Sequence, residues 1–170
     1  DRDNTIVRDP GFLRGPDLVE LLPGAGDAIR KLNEAGIPVV VITNQSGIAR
    51  GLITREQYHA VTSRMQGLLA DAGACIDAIH YCPHLPELTG DCECRKPGPL
   101  LYRTAARDLG LDLERSWYVG DRVTDVLPAS TLGGTGILLA THGPADDDAI
   151  RNGFLLAETL LEASAIILGR

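Results

Sequence analysis

The chain opens on two carboxylates two positions apart, Asp1 and Asp3 in "DRDNT". Two more, Asp121 and Asp125, stand four apart in "VGDRVTD". Between these pairs, "CPHLPELTGDCEC" (82–94) holds three of the four cysteines and one of the four histidines, and the cations Arg95 and Lys96 follow at once. Carboxylates that converge on one point repel each other unless a hard cation neutralises them. A few oxygen ligands with waters retained favour Mg²⁺. The spacing C-x-H-x7-C-x-C offers Cys82, His84, Cys92 and Cys94, three thiolates and one imidazole, which close a tetrahedral structural Zn²⁺ site. The bland alternative is that Cys82 ends a strand and the other two cysteines are incidental. With zinc bound no coordination position stays open, so the 82–94 loop would be scaffolding that holds Arg95 and Lys96 at the mouth of a site. Cys75 lies outside the pattern and reads as a buried small hydrophobe.

Such residues need elements to carry them. A chain of 170 residues, 44% apolar, buries one good core and reads as a single domain over 1–170. With 4% aromatics that core must be aliphatic. A net charge of −7 and a pI near 5.0 argue against nucleic acid and membrane surfaces as partners. No apolar run reaches bilayer length and no signal peptide is visible, so a cytoplasmic, monomeric protein is expected. The β-branched run "GIPVVVITN" (36–44) predicts a strand buried on both faces, with further strands at 76–81, 116–121, 135–140 and near 154–156. Helices are expected from about Asp27 to Ala35, after the Thr54/Gln57 capping box, from Leu100 to a stop at Gly110, near 124–132, and in the tail to about Leu168. Tyr58, Val61, Met65, Leu68 and Leu69 recur at helical spacing and read as core. The alternation predicts an α/β fold, a Rossmann-like parallel sheet sandwiched by helices. Chemistry in such sheets gathers beyond the carboxyl ends of the strands, where Thr43, Asn44, the Cys/His loop, Asp121 and Asp125 all fall.

With these positions assembled, "DRDNT", "VITNQSG", "RKP" and "VGDRVTD" resemble the four motifs of the haloacid dehalogenase (HAD) superfamily of phosphohydrolases, over roughly residues 1–143. The resemblance implies that Asp1 is a nucleophile accepting the phosphoryl group. Asp3 is then the general acid/base, and also offers its backbone carbonyl to Mg²⁺. Thr43 binds phosphoryl oxygens, Lys96 supplies the cation, Asp121 completes the Mg²⁺ ligands with Asp1 and Asp3, and Asp125 supports them. About forty residues between the first two motifs leave no room for a cap domain. In the superfamily the nucleophile follows a buried apolar strand, so a strand before Asp1 is expected to be missing from this sequence.

Within the superfamily, "TNQSGIARG", "YCPH" and "CECRKP" resemble the branch that hydrolyses D-glycero-D-manno-heptose 1,7-bisphosphate. A phosphorylated sugar is the partner this implies, cleaved at the 7-phosphate. Matching positions for its binding are Asp9, Pro10, Gly11 and Phe12 in one loop, Thr43, Asn44, Gln45 and Ser46 in another, and the cations Arg95 and Arg122. The histidinol-phosphatase branch shares the Cys/His loop and the Arg-Lys pair, and "GDRVTD" looks as much like it. A branch acting on DNA 3′ ends fits the acidic composition poorly, and a non-catalytic relative fits poorly with the retained acids. Two residues depart from the family pattern. Asn4 stands where glycine is usual, and Asn tolerates the left-handed turn; Pro128 alters or kinks the helix after the fourth motif. His59 and His80 read as ordinary surface or core residues and Trp117 as core. His142 lies near a Gly-Pro turn, and 145–149 reads as a solvated loop or helix start.

Overall fold

The structure is a computed structural model describing residues 1–140 and 144–169; His142 lies outside the described residues. Five short strands form: β1 (Val40–Asn44), β2 (Ala78–Cys82), β3 (Trp117–Gly120), β4 (Thr135–Leu139) and β5 (Leu155–Ala157). Pairings between these strands are parallel, as buried β-branched runs with helical crossovers require. The helices in chain order are α1 (Ala25–Glu34), α2 (Ser46–Ala49), α3 (Arg55–Asp71), α4 (Pro86–Thr89), α5 (Leu100–Leu109), α6 (Val123–Val126), α7 (Pro128–Leu132), α8 (Pro144–Arg151) and α9 (Leu160–Ile167).

Local chemistry sets the boundaries. Thr54 accepts from the Gln57 amide at 3.1 Å while the Gln57 side chain accepts from the Thr54 amide at 2.8 Å, so the capping box forms and opens α3. Gly110 closes α5 in the left-handed region, at φ 66°. The helix expected over 124–132 is two pieces: Pro128 has no amide hydrogen, and the chain restarts there as α7. The run 36–44 yields a strand only from Val40.

Successive residues of a strand feed opposite cores. Val41 packs with Ile29, Val61, Met65 and Leu69 on the face covered by α1 and α3. Its neighbour Ile42 packs with Tyr102, Tyr118, Val126 and Leu138 on the face covered by α5 and α6. Among the described residues the strands pair as two sheets, β1–β2 and β3–β4–β5. Helix α5 packs against β1 and β2, and α9 packs against α1 and β3, so helices bridge the two sheets.

Two core assignments are corrected. Cys75 is exposed: it falls beyond α3 in the turn, where its amide donates to Asn33 Oδ1 at 2.9 Å. Trp117 is 37% exposed, because β3 begins at the rim of the fold.

Candidate active site

The carboxyl ends of β1 and β3 place the acids and cations side by side. Asp1 hangs beside β3, its backbone nitrogen donating to Val119 O at 2.8 Å. Lys96 arrives from the opposite side. Its Nζ lies 2.7 Å from Asp1 Oδ1, 2.7 Å from Asp125 Oδ1 and 2.8 Å from Ile42 O, and its side chain is 2% exposed. Burial holds this ammonium below its ordinary pKa range, and the charges of Asp125, Asp3 and Asp121 oppose that only in part.

Asn44, at the end of β1, fixes where that lysine starts. Its Oδ1 accepts from Lys96 N at 3.0 Å and its Nδ2 donates to Lys96 O at 3.2 Å, a two-point grip on the backbone. Its side-chain amide is thereby committed to the protein. Gln45 is also turned inward: Nε2 donates to Asp3 Oδ2 at 2.7 Å and to Thr43 Oγ1 at 2.9 Å. Thr43 is buried at the end of β1, and Ser46 opens α2 half-buried.

Asp1, Asp121 and Asp125 bring carboxylate oxygens within 4.8 Å of one another. Asp121 Oδ1 is buried and finds no partner among the described residues. Burial first, and then the charge of Asp125, raise the Asp121 carboxyl above its usual range. An orphaned, crowded carboxylate beside two others is a donor set suited to a hard cation. Asp125 reaches this cluster only because β3 ends in Gly120, where any Cβ would fall on the Asp125 side chain. Its Oδ2 then accepts from Arg122 N at 2.9 Å. The carboxylate of Asp3 turns away from the cluster, toward Gln45 and Arg2.

The second donor set is thiol-rich. Cys82 Sγ lies 3.1 Å from Cys94 Sγ and 3.7 Å from Cys92 Sγ; Cys92 and Cys94 are 3.5 Å apart; His84 Nδ1 is 3.2 Å from Cys94 Sγ. Metal–sulfur bonds of about 2.3 Å give a tetrahedron with sulfur–sulfur edges of roughly 3.8 Å, so the four donors fit one ion. Without a cation, burial and then the hydrogen bond with Cys94 push the Cys82 thiol up to about 12. Arg95 Nη1 donates to His84 O at 3.2 Å, binding the expected substrate cation to this loop. Arg122 is exposed on the other rim.

The loop from Asp9 to Phe12 completes the mouth. Asp9 N donates to Asn4 Oδ1 at 3.1 Å and Gly11 N donates to Asp9 Oδ1 at 3.0 Å. Pro10 lies exposed at its tip. Phe12 packs over Gly47 of α2, where a Cβ would strike its ring. Asn4 sits in the left-handed region, φ 54°, as its turn demands. Sequence reasoning credited Asn4 with backbone tolerance and missed its side-chain acceptor. It missed Arg2 altogether, since an arginine between two acids looks solvated and nothing local signals burial.

The chain is similar to known proteins in both sequence and structure. A family model described as HAD-hydrolase-like matches residues 93–163. A D-glycero-beta-D-manno-heptose-1,7-bisphosphate 7-phosphatase from Yersinia pestis is 41% identical over 150 residues, 85% of this chain and 80% of the relative. One of the same name from Photorhabdus laumondii is 37% identical, covering 99% and 93%. The crystal structure of D,D-heptose 1,7-bisphosphate phosphatase from B. bronchiseptica, complexed with magnesium and phosphate, superposes with a TM-score of 0.87 at 35% identity, covering 99% of this chain and 95% of that one. The chain belongs to the HAD-like hydrolases, in the family of the heptose 1,7-bisphosphate phosphatases.

Proposed function

We propose that the chain removes the 7-phosphate of D-glycero-D-manno-heptose 1,7-bisphosphate through an aspartyl phosphate on Asp1. The observation that carries the reading is Asp1 held by Lys96 at 2.7 Å beside the orphaned Asp121. An anionic carboxylate must meet an anionic phosphate, so positive charge has to be in place beforehand. Lys96 supplies one such charge, buried and therefore strong. Asp1 and Asp121, with the Asp3 carbonyl and Asp125 in support, would hold Mg²⁺. When bound, that ion supplies further charge neutralisation at the phosphoryl oxygens.

In the first step an Asp1 oxygen bonds to phosphorus as the bond to the sugar oxygen breaks, and the carboxyl proton of Asp3 passes to that leaving oxygen. In the second, a water oxygen bonds to phosphorus, its proton goes to Asp3, and the bond to Asp1 breaks. Thr43, set by Gln45, faces the transferring group. The Asp9–Phe12 loop, Ser46, Arg95 and Arg122 frame the sugar and its distant phosphate, while Asn44 and Gln45 act from behind through Lys96, Asp3 and Thr43; arginine's planar fork suits that second dianion. Zn²⁺ on Cys82, His84, Cys92 and Cys94 would be structural. No described helix is long and apolar enough to cross a membrane.

The test is phosphate release in Mg²⁺ from the heptose bisphosphate and from histidinol phosphate. The bisphosphate is expected to be preferred, and Arg95→Ala to lose about ten- to hundredfold in kcat/KM as one charge-assisted contact goes. Faster turnover of histidinol phosphate would move the assignment to the amino-acid branch.

A further inference from the structure

Four acids crowd this end of the fold, and two buried cations hold three of them. Lys96 takes Asp1 and Asp125. Arg2 takes Asp3: Nε donates to Oδ1 at 2.8 Å and Nη2 to Oδ2 at 3.1 Å, so both carboxylate oxygens meet one planar fork. Gln45 Nε2 reaches Oδ2 from the motif-II side at 2.7 Å. Arg2 is only 2% exposed, with its Cζ 5.5 Å from the centre of the Tyr58 ring, and Tyr58 in turn sits on the first turn of α3. Its remaining nitrogen, Nη1, is buried without a partner among the described residues. Burying a guanidinium with one nitrogen unsatisfied is costly, and the two bonds to Asp3 are what offset it.

We propose that Arg2 is a positioning residue for proton transfer, a fork that fixes the rotamer of Asp3 between the leaving group and the hydrolytic water. The inference rests on the reading of Asp3 as proton donor and acceptor given above. Lys96 and Arg2 then have separate duties: one governs the nucleophile, the other the acid. A carboxylate on a flexible side chain must be held to within a fraction of an ångström to transfer a proton well. Arg2, anchored on the face of Tyr58 and backed by α3, provides that from beneath, while Gln45 fixes the second oxygen from the side.

A leaving-group comparison separates aiming the acid from mere structural support. The leaving group of p-nitrophenyl phosphate needs no proton, whereas the sugar alkoxide of the heptose bisphosphate does. Rapid-mixing assays in Mg²⁺ on Arg2→Gln should show a p-nitrophenolate burst near the wild-type rate, followed by turnover reduced about ten- to hundredfold because water activation suffers. On the heptose bisphosphate the same variant should lose its fast first turnover as well. Asp3→Asn, run in parallel, tests the underlying reading: if its burst on p-nitrophenyl phosphate is not spared, the role of Asp3 itself fails. If Asp3→Asn shows the pattern but Arg2→Gln slows both phases equally on both substrates, or neither, the positioning role is overturned. Should Arg2→Gln not fold, Arg2→Lys decides. One ammonium cannot hold both oxygens, so a spared burst with severalfold slower turnover is expected, and wild-type turnover would sink the proposal.

Discussion

At the scale of single residues, the site separates chemistry from posture. Asp1→Asn keeps an oxygen for Lys96 but cannot form an acyl phosphate, so phosphate release should fall to background while the circular dichroism spectrum is unchanged; measurable turnover would refute the nucleophile assignment. Asn4 does two things at once, holding φ 54° and accepting from Asp9 N. Asn4→Gly retains the turn and frees the loop, so KM for the sugar bisphosphate should rise severalfold with kcat nearly kept, one exposed hydrogen bond being worth about 0.5–1.5 kcal/mol. Asn4→Ala should also lose about 1–2 kcal/mol of stability to left-handed strain. Urea titrations and steady-state kinetics on both variants resolve the two contributions.

At the scale of elements, the Cys/His loop acts through its neighbours. It leads directly into Arg95 and Lys96, and Asn44 ties the lysine backbone to β1. Cys92→Ser should therefore lower kcat even though no acid is touched, and freshly purified protein should carry about one zinc per chain by elemental analysis; protein without zinc that is fully active would end the scaffold reading. How legible these elements were follows from how local their causes are. The capping box of α3 and the glycine stop of α5 are written in four adjacent residues or one, and both were readable. So were the acids and thiols, whose types and spacing are themselves the signal. The break at Pro128 was readable as a disturbance, though not its result of two separate short helices. Which residues meet across long stretches of chain was not readable, because it depends on how the elements pack. Arg2 was hidden for a similar reason: its burial comes from Tyr58, 56 positions along the chain, and no nearby residue announces it.

At the scale of the whole molecule, the site draws on the carboxyl ends of both β1 and β3. Lys96 reaches across: its ammonium holds Ile42 O on β1, and with the same three hydrogens holds Asp1 and Asp125 beside β3. Removing one partner from a buried ion pair costs roughly 3–5 kcal/mol, so Lys96→Met should lower the unfolding midpoint as well as abolish turnover. Hydrogen exchange at the β1 and β3 amides should quicken together; an unchanged midpoint with slow exchange would show that the lysine bonds add nothing to the fold. Enzymes often gain stability when an active-site charge is neutralised, since such sites are built against the stability of the fold. Here the catalytic cation also ties β1 to the acids beside β3. An inert protein for trapping bound sugar phosphate is thus better made at Asp1, where the fastening survives, than at the lysine, where the molecule that would do the trapping comes loose.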